Sequence, residues 1–411
     1  MMIKELKESH TLLVKGPTRV NLLEGKVEVF GKLILPEDDE SISSLDNLEE
    51  QNVLIVPGAK KYPLYAVEDS KMEIVTANDE NLEEIKENSI PKEWREYKDE
   101  ILEKIKKRKN EGPLKIMVMG ISCGKTTLIK YLANSFYREN LRGAYLDSDL
   151  GQQIMMVPCV ISIGKINKPI VSSIDLEPDE IKFIGATYPK GNLKFVLSHL
   201  SKDLIEDFQK DHADIDFILI DTDGWVKNEA GMVFKKFFIK QVDPDILLVF
   251  YNKEIEEYDE IIDSVKENKS RKIFLLKEEN EHYYDKTKDE RRFLRQSRFS
   301  KVLEGFRKIT IPLNDIQFVK HDYDKEKDEV IEKEISTKDL IELPYHYVII
   351  ALLDKDSGLI NIGLLFSVNI EKNYILMFSD LNYKEQIRIK KVLLGSLRLS
   401  TKGNHQGYLY L

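Results

Sequence analysis

Two carboxylates spaced two residues apart, a lysine followed by two threonines, and three arginines at helical spacing are the side chains here that could move a phosphoryl group. In Val118–Leu128, VMGISCGKTTL, the run Gly124, Lys125, Thr126, Thr127 has the form of a phosphate-binding loop entering a helix. Such a loop works because backbone N–H groups and the positive end of the helix converge on an anion. Lys125 would reach the β- and γ-phosphates of a nucleotide, and the Thr126 hydroxyl would hold Mg²⁺. The usual pattern sets about four residues between its two glycines. Here only Ile121, Ser122 and Cys123 separate Gly120 from Gly124. Met119 then stands where the first glycine belongs, and the expected cradle is Gly120, Ser122, Cys123, Gly124, Lys125, Thr126 and Thr127, with an altered entry.

Asp147 and Asp149, in LDSDLGQQ, follow an apolar run. Their spacing predicts that both face the crevice at the carboxyl edge of an α/β sheet. One would support a Mg²⁺-bound water and the other would take the proton of an attacking hydroxyl; the alternative is an exposed acidic turn. Asp221 ends FILID, the form of a strand-tip carboxylate that supports a metal. Trp225, just past Gly224, is one of two tryptophans, placed either to stack on a nucleobase or to pack under the next helix. Arg291, Arg295 and Arg298 would share one helix face. Between Asp285 and Lys308 nine Lys and Arg stand against four Asp and Glu, a local basic excess in an acidic chain. That face would either close over a transferring phosphate and neutralise its charge, or simply be solvated.

Elements able to hold these groups are readable around them. From Leu114 onward the apolar runs KIMVMG, GAYLDSD, IDFILIDTD, DILLVFYN and KIFLLK read as strands buried on both faces. Helical stretches at 127–141, 193–211, 230–242 and 254–268 separate them, which predicts a parallel sheet with helices on both sides. Residues 1–90 read as short strands broken by Gly and Pro, a small β-sandwich, and residues 91–112 as a joining helix. After about Ile311 strands return, with HDYDKEKDEVIEKE read as a solvated loop. The expected architecture is α/β: a P-loop kinase domain at 91–310, an N-terminal β domain at 1–90 and a small strand-rich domain at 311–411.

Bulk properties narrow the classes. At 411 residues several domains are expected, and the net charge of −10 argues against indiscriminate coating of nucleic acid. Two cysteines supply no disulfide framework, and seven scattered histidines show no helical metal pair. No apolar run approaches membrane-spanning length, so a soluble, cytoplasmic protein is expected. Abundant Lys and Glu with little Gln lean toward a thermophile. YNKEI puts Ile255 where a guanine-reading aspartate would stand, which leaves ATP as the default nucleotide.

Together these stretches resemble the RNA-directed polynucleotide 5'-hydroxyl kinase family, that of the polyribonucleotide kinase in the pre-mRNA cleavage complex and its archaeal relatives. The resemblance rests on GISCGKTT, DSDLGQ, GATYPKGN, TDGW and RRFLRQSRF in order, and on the opening GPTRVNLLEGKVEVFG; it is weak after Ile311. It implies ATP and Mg²⁺, with Lys125 and Thr126 as phosphate and metal ligands. Asp149 is implied to activate the acceptor hydroxyl, with Asp147 and Gln152 beside it and Asp149 and Asp221 near the metal. Thr187, Tyr188 and Trp225 are implied to clasp the acceptor end, and Arg291, Arg295 and Arg298 to form a lid. The expected substrates are RNA 5'-hydroxyl ends, with DNA left open, and RNA-processing proteins are expected partners. A non-catalytic ATP-binding scaffold is the alternative that the shortened loop raises.

Overall fold

The computed structural model describes residues 1–37, 52–108, 111–121, 124–172, 175–266, 268, 270–277 and 286–409. The loop members Ser122 and Cys123 lie outside the described residues.

Alternating patterns such as Lys61–Ala66, KYPLYA, bury every second side chain, as a strand with one face on a core must. Four strands form one N-terminal sheet, in the order Met2–Leu6, Ser70–Thr76, Thr18–Glu24, Val53–Val56. Five more form a second, in the order Lys32–Ile34, Val27–Val29, Lys61–Ala66, Thr11–Lys15, Leu82–Ile85. Leu12, Val14, Leu22, Leu64 and Ile74 fill the space between them. The helix Lys92–Lys107 follows and buries Trp94, Ile101 and Ile105 on its inner face. Trp94 meets Phe250 of the central sheet edge-on at 5.7 Å.

The central sheet has seven strands in the order Glu180–Phe183, Val160–Lys165, Gly143–Asp147, Phe217–Asp221, Leu114–Met119, Ile246–Tyr251, Lys272–Lys277. The last five are mutually parallel, as the βα alternation requires. The first two run antiparallel, a departure from an all-parallel expectation, because these strands follow one another without a crossover helix. The helices are Lys125–Arg138, Leu193–Asp211, Asn228–Val242 and Glu257–Val265.

A third sheet takes strands from Arg307 to Tyr408, in the order Arg307–Pro312, Tyr374–Ser379, Leu359–Asn369, Val348–Leu353, Lys391–Leu399, Gln317–Asp324, Glu329–Glu334, with His405–Tyr408 against Lys391–Leu399. The expected solvated loop at 321–334 is instead a hairpin, Gln317–Asp324 paired with Glu329–Glu334. Tyr323 stacks on Phe195 at 4.7 Å, and Tyr323 and Val330 pack on the central core. The apolar minority inside a charged run decides the pairing, where the charge count alone suggests solvation.

Two further contacts bind this sheet to the central one. Gly185 and Gly395 approach so closely that a Cβ on Gly185 would lie 2.3 Å from the Gly395 Cα. The Gly185 carbonyl accepts from the Ser396 and Leu397 N–H groups at 2.8 and 3.1 Å. The helix Lys288–Leu303 opens with a Thr287–Glu290 capping box and ends with Phe299 and Leu303 buried among residues of the third sheet, including Leu393 and Leu397. Burying two such side chains favours the docked helix by roughly 3–6 kcal/mol before entropy costs.

Candidate active site

Leu114–Met119 is central in the sheet, and the chain turns from its carboxyl end into the helix Lys125–Arg138. Gly124 makes the turn at φ 93°, a left-handed conformation that side chains disfavour. Lys125 Nζ lies 2.8 Å from the Gly120 carbonyl, folded back over the loop mouth. Thr126 Oγ1 donates to Asp221 Oδ2 at 2.8 Å, and the buried Tyr145 hydroxyl donates to the same oxygen at 2.8 Å. Asp221 Oδ1 is buried and has no hydrogen-bond partner among the described residues. A carboxylate oxygen left unsatisfied there beside a threonine hydroxyl suits a cation or its water, so the donor set fits Mg²⁺.

The two aspartates of DSD part company. The strand ends at Asp147, so the two-residue spacing no longer holds both on one face. Asp147 is 1% exposed and does not line the cavity that Asp149 lines, contrary to its expected place among acceptor contacts. Its carboxylate takes the Ile154 and Asp149 N–H groups. Burial pushes its pKa up, and the neighbouring Asp221 charge pushes it further. Asp149 Oδ1 accepts the Gly151 and Gln152 N–H groups at 2.9 and 3.0 Å. Its pKa is also raised, by burial first and then by the Asp223 charge, against the pull of Lys125.

One cavity gathers most of the expected groups. Gly124, Lys125, Thr126 and Thr127 form its donor side, with Asp149 and Gln152 on the wall beside them. Thr187, Tyr188 and Trp225 also line it, as do Arg291 and Arg295 from the helix Lys288–Leu303. Trp225 is half-buried, tilted on Phe234 at 5.9 Å while lining the cavity, so both alternatives for it hold in part. Arg298 lies deeper, in an adjoining cavity with Arg295, Thr126 and Thr127. Its Nη1 is buried without a partner among the described residues. The adjoining cavity runs under the N-terminal sheets to Lys60, Tyr62 and Trp94, where burial and the charges of Lys286, Lys130 and Arg298 push the Lys60 pKa down to about 6.

Sequence reasoning missed the groups that hold these in place. Lys235 is fully buried, with Nζ 2.7 Å from Asp223 Oδ1 and 3.0 Å from its carbonyl. Asp223 Oδ1 also accepts the Trp225 N–H at 2.9 Å. A buried ion pair thus fixes the turn carrying Trp225, at a desolvation cost that such pairs carry. The available signal was a lysine inside the apolar helix stretch VFKKFF. Tyr145 and Lys60 gave none, since their roles depend on contacts between distant segments.

A family model for the P-loop of mRNA cleavage and polyadenylation factor CLP1 matches residues 120–305. Over those residues the chain carries a CLP1-type P-loop region. Among its relatives, a polyribonucleotide 5'-hydroxyl-kinase of Methanocaldococcus jannaschii is 24% identical over 342 residues, spanning 73% of this chain and 91% of that one. The corresponding kinase of Pyrococcus furiosus is 30% identical over 205 residues, spanning 50% of this chain and 54% of its own. In fold, the chain is similar to Clp1p as solved in a Clp1p–Pcf11p complex, with TM-score 0.72, 16% identity and 97% of each chain covered. A CLP1-type P-loop implies ATP binding. No helix among the described residues is long and apolar enough to cross a membrane.

Proposed function

We propose that this chain is a polynucleotide 5'-hydroxyl kinase that transfers the γ-phosphoryl group of ATP to the 5'-hydroxyl end of RNA. The observation that carries the reading is the shared cavity: a phosphate loop with Lys125 lines one space together with Asp149, Thr187, Trp225, Arg291 and Arg295. In-line transfer needs the donor phosphate and the acceptor hydroxyl in one water-poor site.

The triphosphate would run over the Lys125 loop, its base end toward the cavity lined by Lys60, Tyr62 and Trp94. Thr126 and Asp221 would hold Mg²⁺ through oxygen and water, with Asp149 close by. When bound, the metal neutralises charge on the β- and γ-oxygens. Asp149 takes the proton of the acceptor hydroxyl; its raised pKa makes it a stronger base than an exposed aspartate. Trp225 and Tyr188 offer faces to the terminal base, and the Thr187 hydroxyl sits between them and the third sheet. Arg291 and Arg295 meet charge that grows on the transferring group. Asp147 acts indirectly, holding the Asp149 and Ile154 backbone. The division at about residues 90 and 310 is proposed on the same footing, with Arg307 opening the third sheet. So are a cytoplasmic RNA-processing role and protein partners within it.

The test is incubation with Mg²⁺, γ-labelled ATP and RNA or DNA oligonucleotides bearing either 5'-hydroxyl or 5'-phosphate ends. Label on 5'-hydroxyl RNA and none on 5'-phosphorylated RNA is expected. Bound ATP with no transfer to any 5'-hydroxyl end would replace the kinase by an ATP-binding scaffold.

A further inference from the structure

An acceptor whose 5'-hydroxyl sits at Asp149 must lead the rest of its chain out of the transfer cavity, and Tyr188 marks one way out. Tyr188 is 38% exposed and forms a wall common to the transfer cavity and to a second groove. That groove lies on the seam between the central and third sheets. Lys190 stands on the central-sheet side, Lys320 on the third-sheet side, and Leu394 with Gly395 lines it. Tyr408, from the strand His405–Tyr408, meets Tyr188 edge-on at 5.3 Å and shares a 2.6 Å hydrogen bond with the Thr187 hydroxyl. Asp322 also lines the groove, with one oxygen taken by the Asn192 amide at 2.9 Å. Gly191 opens the side nearest Lys190, since no atom lies within 4 Å of where its Cβ would be.

We infer that this groove is a subsite for the second and third nucleotides of the acceptor, so that the third sheet takes part in holding RNA. The inference rests on the kinase reading, because it takes its direction from an acceptor end at Asp149. Its chemistry is that of a single-strand site: two cations to follow the backbone and exposed tyrosine surface on which a base can stack. It gives the third sheet a task that the transfer cavity leaves unexplained. It also accounts for a paired-glycine seam: Gly185 and Gly395 bring Tyr408 close enough to brace the Thr187–Tyr188 turn.

Two measurements separate this inference from the kinase reading. The first is binding, without turnover, of a fluorescent 5'-phosphorylated hexaribonucleotide by anisotropy across a salt series. Losing a single-strand phosphate contact lowers the salt slope by roughly 0.7. The double variant Lys190→Ala/Lys320→Ala should therefore bind more weakly, with a slope smaller by about 1.4. The second is kcat/KM for 5'-hydroxyl acceptors of one, two, three and six nucleotides. In the wild type it should climb to three nucleotides and then level off, and the double variant should lose at least ten times more on the hexamer than on the single nucleotide. An unchanged salt slope overturns the subsite whether or not the protein transfers phosphate. So does equal loss on every acceptor length, which would mark the lysines as structural. Hexamer binding that responds to the variant, in a protein that transfers nothing, would keep the groove as an RNA site and remove the kinase.

Discussion

Replacing Asp149 by asparagine separates the carboxylate's chemistry from its place in the fold. Asp149 Oδ1 accepts two backbone N–H groups, from Gly151 and Gln152, and an asparagine oxygen can keep both. What disappears is the charge and the ability to take a proton. Removing a positioned general base costs about 10²–10⁴ in rate, or about 2.7–5.4 kcal/mol of transition-state stabilisation. Lys125, Thr126 and the arginines are untouched, so ATP affinity should change less than about threefold, under 1 kcal/mol. Stability has a definite sign as well. The Asp149 pKa is raised in the fold, so the folded state holds this proton more tightly than the unfolded chain does. Its contribution to stability then falls as pH climbs from the ordinary carboxylate range through the raised value. At neutral pH the ionised group opposes folding, and Asp149→Asn should melt at the same temperature as the wild type or higher. The assays are single-turnover transfer to a 5'-hydroxyl RNA, ATP titration and thermal melting at neutral pH. Transfer within threefold of wild type would refute Asp149 as the base. A much lower melting temperature would refute the account of its environment.

Three further outcomes follow from particular contacts. Gly185→Ala places a methyl group 2.3 Å from the Gly395 Cα at φ 77°; backbone strain and overpacking together should cost about 2–4 kcal/mol, read as a lower denaturation midpoint, and a midpoint equal to wild type would contradict the seam. Thr126→Val removes the 2.8 Å hydrogen bond to Asp221 and a metal-facing oxygen, so the Mg²⁺ concentration for half-maximal transfer should rise about tenfold or more, with an unchanged Mg²⁺ dependence counting against Thr126 as a ligand. Lys60, with its pKa pushed down to about 6, is largely neutral at pH 7.5 in the free protein; a triphosphate on the Lys125 loop offsets the Lys286, Lys130 and Arg298 charges that help hold that pKa down, so ATP binding should take up a proton and weaken as pH rises above 6. Calorimetry in two buffers of different ionisation enthalpy reads that uptake, which Lys60→Met should abolish and which a buffer-independent enthalpy would disprove.

The sequence was most legible where local pattern and chemistry coincide. Continuous apolar runs ending in Gly or Asp mark the strand tips, and Lys125, Asp149, Trp225 and Arg291 sit on the turns and helix that follow them. The helix over 193–211 is read to the residue, because Leu193–Asp211 alternates apolar and polar groups at helical period. Illegible parts depend on contacts across long separations. The Tyr145 hydroxyl on Asp221 and the Tyr408 hydroxyl on Thr187 each join segments that no local spacing relates, whereas the nearer Lys235–Asp223 pair shows in sequence only as a lysine in an apolar helix stretch. Asp147 was misplaced for a smaller reason: a two-residue rule was carried one turn beyond the end of its strand. The charged stretch 321–334 reads as a loop because Tyr323 and Val330, which pack on the central core, are few among many acids and lysines.

The central claim is that Lys125 and its loop deliver the γ-phosphate to an acceptor bound in the same cavity. Its most direct test is a single-turnover reaction with γ-labelled ATP, Mg²⁺ and 5'-hydroxyl RNA, run side by side with wild type and Lys125→Ala, with the position of the label then mapped on the RNA. Label confined to the 5' terminus in the wild type, and lost by at least a hundredfold in Lys125→Ala, is the predicted result. Label elsewhere on the RNA, equal transfer by the variant, or ATP held by the wild type and never transferred would contradict it.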